Sequence, residues 1–313
     1  MLLSQSSLVG FLTRVVIAGV MAAGALSSVS AQEVAPRKLA TAFGEITIKG
    51  EPKRVVVLNE NALDTALALG VQPVGTLATR GGEGVANYLR AQAGKIAIVG
   101  TARETNLESV LALQPDLILA SPGTTRDMYS KLSRLAPTVV PVGSSLDDWH
   151  GSVALYAAAL GKQVTVVKQF EAIDKRVAAL KQRLPANTKV SIVRWNPQGP
   201  VVMSSHLFAG QLMRQLGLSG TALADTLDKT PHSDILSLEN MSKADGDWLF
   251  VATLNNQGDD TLAQARKQPA FARLKAVQAG RVVTVDGQVW TSGSGILAAK
   301  VVLDDIEKAL LAK

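Results

Sequence analysis

The side chains of this sequence that could do chemistry are chiefly carboxylates, guanidiniums and a few indoles, and they are not arranged as an enzyme's are. No G-x-x-x-x-G-K-[ST] or G-x-G-x-x-G phosphate loop occurs; Gly82-Glu83-Gly84 lacks the third glycine and follows no clear strand. Ser292-Gly293-Ser294-Gly295 has the wrong spacing for a nucleophile elbow. His150, His206 and His232 each stand alone, so a first-row metal site built on imidazole is not expected, and the three read as surface or loop residues. The chain has no cysteine, which removes thiolate ligands, disulfides and a cysteine nucleophile. What does recur is a glutamate in the first turn of a short helix: Glu108 in Asn106-Leu107-Glu108 and Glu239 in Ser237-Leu238-Glu239. Each precedes a polar turn and an apolar strand. Two readings stay open. Acidic side chains stabilise helix N-termini, and Thr105 to Glu108 has capping-box spacing. Alternatively, paired acidic knobs could dock a partner that carries arginines.

Composition narrows the class. With 47% hydrophobic and 19% charged residues, the chain is not intrinsically disordered, and 313 residues suggest two domains. The formal net charge of +6 is spread along the chain without a Lys/Arg run, so it reads as a solvated basic surface rather than a nucleic-acid patch. Arg14 precedes an apolar run from Val15 to Leu26, shorter than the roughly 20 residues of a membrane span but suited to the centre of a secretory signal. Val29-Ser30-Ala31 supplies the small residues of a cleavage site, so residues 1–31 are read as a signal peptide cut after Ala31. The mature chain is expected to be soluble and periplasmic, without a lipid anchor.

The elements that must position any site alternate along the chain. From Arg54 onward, β-rich runs alternate with helical patterns, which predicts α/β layers with mainly parallel strands. Strands are expected at Val55–Leu58, Val74–Leu77, Lys95–Val99, Leu117–Ala120 and Thr138–Val142, with helices at Ala62–Leu69, Leu107–Leu113 and Thr125–Ala136. From Gln163 to Leu184, Val166, Phe170, Ile173, Val177, Leu180 and Leu184 fall on one helical face, and Pro185 stops the pattern. Such a helix would be about 33 Å long. A second α/β set follows, with strands at Lys189–Arg194, Val201–Met203, Trp248–Ala252 and Val282–Val285. Its helices are expected at Leu207–Leu216, Leu238–Ala244, Thr261–Lys267 and Ile296–Leu311. The order is lobe, long helix, lobe.

These features resemble a known family. Arg54-Val55-Val56-Val57-Leu58, Leu67 to Gly75, Asn106-Leu107-Glu108 with Pro115-Asp116-Leu117-Ile118, Leu135-Ala136-Pro137-Thr138-Val139, and Ala276 to Val282 followed by Trp290 are similar to motifs of the ferric-siderophore-binding proteins of bacterial ABC importers. The ferric dicitrate and ferric hydroxamate binders are the nearest in kind; cobalamin- and haem-binding proteins share the architecture. The resemblance implies a class III periplasmic binding fold: two Rossmann-like lobes, residues 32–160 and 186–313, joined by one long rigid helix over residues 161–185. It implies little closure, since no multi-strand hinge links the lobes. It also implies a non-enzymatic, monomeric receptor that delivers a ferric siderophore to an inner-membrane ABC permease with its ATPase. Glu108 and Glu239 would meet basic permease residues. No cofactor and no nucleic acid are expected, because the iron travels inside its chelator.

The resemblance places the ligand in a cleft lined by loops that follow strands. An anionic chelate needs guanidiniums for its outer oxygens and aromatics for its organic shell. Arg80, Arg103, Arg126, Arg194, Trp195 and Trp290 are the candidates, and Arg126 with Tyr129 matches an Arg-x-x-Tyr element of the citrate-type relatives. Ala102 stands where an arginine is frequent, Thr124 replaces a cleft tyrosine of the hydroxamate binders, and Asn59-Glu60-Asn61 replaces their first-loop aromatic. The departures favour an anionic citrate- or catecholate-like chelate. Haem or cobalamin on the same fold, and a periplasmic hydrolase, are the competing readings.

Overall fold

Strand β3, Val55–Val57, is buried at every residue, as a strand covered on both faces must be. The computed structural model that shows this describes residues 35–311, so the expected signal segment lies outside the described residues. A hairpin comes first, β1 (Arg37–Thr41) against β2 (Gly44–Ile48), and it was not expected from the sequence. Strands β4 (Gly75–Thr76), β5 (Ala97–Ile98), β6 (Leu117–Leu119) and β7 (Thr138–Val139) complete a parallel sheet in the order β5-β4-β3-β6-β7. Its crossovers carry α1 (Glu60–Ala68), α2 (Arg90–Ala93), α3 (Leu107–Ala112) and α4 (Arg126–Leu132), with α5 (Trp149–Ala159) after β7. Val55, Val57, Leu117 and Leu119 face α1 and α5, while Val56 and Ile118 face α3 and α4. Helix α5 is apolar nearly all round, so it offers no amphipathic stripe by which its sequence could announce it.

The second sheet has the order β11-β10-β8-β9, formed by β8 (Val190–Asn196), β9 (Gly199–Val202), β10 (Trp248–Thr253) and β11 (Val282–Asp286). Strands β8, β10 and β11 run parallel, and β9 is antiparallel to β8. Helices α7 (Phe208–Gln215), α8 (Ala222–Asp225), α9 (Asn256–Ala265), α10 (Pro269–Ala272), α11 (Lys275–Gln278), α12 (Gly287–Trp290) and α13 (Ile296–Leu311) surround it. Helix α9 starts five residues before the expected Thr261, because Asn255 caps it by accepting from the Gly258 N–H. The expected helix at Leu238–Ala244 is a 3-10 helix instead.

Between the two sheets in chain order comes α6, Gln163–Lys181, about 28 Å long for its 19 residues. The helix buries Val166, Ile173, Val177 and Leu180 as its spacing requires, and the Leu184 N–H still donates to the Leu180 carbonyl just before Pro185. It is not a bare rod. Its apolar face shares one core with Trp149 and Val153 of α5, Phe208 and Leu212 of α7, and Val302 and Leu303 of α13. Arg176 pairs with Asp304, and Arg183 with Glu307 at 2.6 Å, which fastens α6 to α13 along its outer side.

Candidate functional site

A cavity of about 370 Å³ lies where the carboxyl ends of the parallel strands of both halves converge, the usual position for a ligand on open α/β sheets. Asn59, Glu60 and Asn61 follow β3, Arg80 follows β4, and Ser121 follows β6. From the other half come Arg194 on β8, His232, Trp290 and the α12–α13 connection with Ser292 and Ser294. The two halves thus supply opposite walls.

Arg194 shares the β8 face of Val190 and Ile192 and lies near the carboxyl end of the strand. It is 6% exposed, yet its guanidinium makes no ion pair and no hydrogen bond among the described residues, and its Nε is an orphaned buried donor. Burial, and then the neighbouring Arg80, lower its pKa to about 10, so it stays cationic at neutral pH. Arg80 is exposed on the opposite wall, and it too makes no ion pair among the described residues. Two guanidiniums that form no salt bridge among the described residues therefore face one cavity, with the Glu60 carboxylate beside Arg80, an arrangement suited to an anion's oxygens.

Trp195 has to be corrected. Strand β8 continues to Asn196, so successive side chains alternate faces and Trp195 points away from Arg194. It packs with Val193 and Leu249, its ring 6.1 Å from that of Phe271, and it is core rather than cavity wall. Trp290 does line the cavity, but it is held from behind: its Nε1–H donates to Asp305 at 2.8 Å and its ring stacks on Phe250 at 4.7 Å. The indole that the sequence reading missed is Trp149, at the start of α5, which lines the cavity with an unpartnered buried Nε1 and meets Phe208 edge-on at 5.3 Å. Asn61 Oδ1 and Ser292 Oγ, one from each half, also line the cavity and are buried without partners among the described residues. His232, expected as a surface or loop residue, is instead half-buried in an isolated antiparallel bridge to Met203 and lines the cavity; its Nδ1 sits 2.8 Å from the Ser233 carbonyl.

The remaining candidates lie elsewhere. Arg103 is exposed in the loop before α3 and is not on the cavity wall, although its neighbour Ala102 is. Arg126 is likewise off the wall: its guanidinium lies 5.2 Å from the Phe43 ring, and Phe43 stacks on Tyr129 at 4.3 Å. The Arg-x-x-Tyr element thus grips the β1–β2 turn. Glu108 and Glu239 are exposed in the first turns of α3 and the 3-10 helix. Asn106, not Thr105, caps α3, accepting from the Ser109 N–H at 2.9 Å.

A clasp beside the cavity joins the halves a second time. Asp64 of α1 is fully buried, and its carboxylate accepts the first free N–H groups of α13, from Leu297 at 2.9 Å and Ala298 at 2.7 Å. Gly295 has φ +124°, and a Cβ there would collide with Asp64. Asn61 donates to Ser294 at 2.5 Å, and Asn87 meets Gln288 at 2.8 Å and Asp286 at 3.0 Å. Segment 291–295 is therefore fixed on one side by α1 while it faces the cavity on the other.

Two α/β halves, tied by α6 and by this clasp around a cavity with cationic walls, define a two-lobed solute-binding protein. Residues 55–289 match the periplasmic binding protein family, and the chain belongs to it. It is 32% identical over 274 residues to the probable siderophore-binding lipoprotein YfiY of Bacillus subtilis, covering 84% of each chain. It is 30% identical over 274 residues to the Fe(3+)-citrate-binding protein YfmC of the same organism, covering 86% of this chain and 84% of that one. Among solved structures it superposes on Staphylococcus aureus SirA complexed with staphyloferrin B with a TM-score of 0.76 at 26% identity, covering 88% of this chain and 98% of SirA. The family consists of binding proteins, so the hydrolase reading is set aside.

Proposed function

We propose that this protein captures an anionic ferric chelate of citrate or catecholate type in the periplasm and delivers it to an inner-membrane ABC permease and its ATPase. The observation that supports this is the pair Arg80 and Arg194, two guanidiniums from different halves that line one cavity and form no salt bridge among the described residues. Relatives named for siderophores and ferric citrate support the same ligand class. Arg80 and Arg194 bind outer oxygens of the chelate, Trp149 and Trp290 flank its organic shell, and Glu108 and Glu239 dock the permease. The chain works as a monomer, exported with cleavage after Ala31, and it has no cysteine on which a lipid could be placed. No cofactor takes part, since the iron is cargo. Titration of intrinsic tryptophan fluorescence with ferric citrate, an iron-loaded tricatecholate, a ferric hydroxamate, haemin and cobalamin tests this. Saturable quenching by the anionic ferric chelates is expected, and quenching by haemin or cobalamin alone overturns it. His232 on the wall is the one observation that favours haem, as an imidazole that could meet an axial position.

A further inference from the structure

Glu60 is a carboxylate set into a wall otherwise suited to anions. It opens α1, lines the same cavity as Arg80 and Arg194, and makes no ion pair with either among the described residues. Only one of its oxygens is engaged: Oε1 accepts from the Thr79 hydroxyl and from the Arg80 amide N–H at 3.3 Å. Oε2 has no partner in the protein among the described residues. An ionised Glu60 would repel the oxygens that the arginines attract, whereas a protonated one offers them an O–H donor.

The groups around it favour the proton. Burial raises the Glu60 pKa, the Thr79 hydroxyl and the Arg80 amide and charge pull it down, and Asp286 at the end of β11 pushes it up again. Tyr88 from the 3-10 turn Asn87–Leu89 is a buried neighbour, Asp64 lies one turn along α1, and Asp147, Arg194 and His232 share the cavity. An incoming anion adds one more negative charge close by, and this shifts the balance further toward the protonated form.

We propose that Glu60 is a specificity-determining residue that makes capture proton-linked: as an anionic ferric chelate settles between Arg80 and Arg194, Glu60 takes one proton from solvent and its carboxyl O–H donates to a chelate oxygen. The proton ends on Oε2, and no other bond is made or broken. The inference rests on the reading of the cavity as a site for an anionic ferric chelate. It adds that the site selects chelates presenting an acceptor oxygen beside the two guanidiniums, and holds them more tightly in acid.

The test is calorimetric titration of the wild type and Glu60→Gln with ferric citrate and an iron-loaded tricatecholate between about pH 5.5 and about pH 8, in paired buffers of different ionisation enthalpy. Glutamine keeps an acceptor for Thr79 and mimics the neutral acid. The wild type should take up about one more proton per chelate than the variant, and the ratio of the variant's Kd to the wild type's should fall at least about fivefold from pH 5.5 to 8. Taking the ratio cancels the titration of the chelate itself. A second variant, Thr79→Val, removes the hydroxyl that favours the ionised form, so the midpoint of proton uptake should move to higher pH. Equal proton uptake and a constant ratio overturn the inference, as does an unmoved midpoint in Thr79→Val. Should no iron chelate bind the wild type at any pH, the reading of the cavity fails and Glu60 with it; chelate binding without Glu60-dependent uptake overturns the Glu60 inference alone.

Discussion

The carboxylate of Asp64 and the amide of Ala298 stand 234 residues apart in the chain and meet at 2.7 Å. Asp64 caps a 16-residue helix that belongs to the other half of the molecule, so the N-terminus of α13 can be satisfied only when the halves are together. The same contact braces residues 291–294, which form part of the cavity wall. With α6 packed along α13 and this clasp at its N-terminus, relative motion of the halves is restricted, and the ligand meets walls that are already in place.

Asp64 gives stability a pH dependence of defined sign. Burial raises its folded pKa from 3.8 to about 7 against the lowering effect of the Leu297 and Ala298 amides. The folded chain then holds the proton more tightly than the unfolded chain, so this contribution is full below the unfolded value and is lost as pH rises through about 7. Urea unfolding of the wild type and Asp64→Asn should show a difference in stability that shrinks by on the order of 4 kcal/mol at most between pH 4 and 7. Parallel pH profiles of the two proteins would refute it.

Arginines on and off the wall should part company. Arg194→Ala should weaken binding of an anionic ferric chelate by about 2–5 kcal/mol, because the chelate's anionic oxygen is left in the cavity without the buried cation that pairs with it. Arg126→Ala, which removes a cation from an aromatic pair outside the cavity, should leave affinity within about threefold. Fluorescence titration of both variants decides it, and an equal loss in each would place the ligand elsewhere.

Trp195 should matter to folding and not to capture. The residue is 3% exposed and its ring packs against Phe271 in the core, so Trp195→Ala should cost about 3–5 kcal/mol in urea unfolding. Trp195→Phe, which keeps most of the volume, should bind the chelate with wild-type affinity. A large affinity loss in Trp195→Phe with unchanged stability would return this residue to the site.

Glu108 and Glu239 are exposed and lie off the cavity wall. The double variant Glu108→Ala, Glu239→Ala should abolish iron-chelate uptake by whole cells while keeping ligand affinity within about threefold. If affinity collapses as well, the two carboxylates serve capture or folding rather than docking.

How far the chain could be read in advance depended on how local each feature was. The face of α6 was legible because Val166, Ile173, Val177 and Leu180 repeat within one element. Helix α5 is not legible in this way, since a helix apolar nearly all round carries no period, and Trp149 at its start gives no local sign of being a wall residue. Arg194 and Trp195 are adjacent in the sequence, and a strand ending at Arg194 would leave Trp195 free to turn toward the cleft; because β8 continues to Asn196, the two side chains lie on opposite faces.

By itself, then, the sequence determined the alternation of strands and helices, the long α6 and the absence of enzyme motifs, because each depends on residue types at short spacing. Tertiary structure alone decided which charges face one another. The pairing of Arg80 with Arg194 across a cavity, the placing of Glu60 beside them, and the capping of α13 by Asp64 all join residues far apart in the chain. Nothing in local spacing encodes such meetings; they exist only once two sheets have brought their carboxyl ends to the same place.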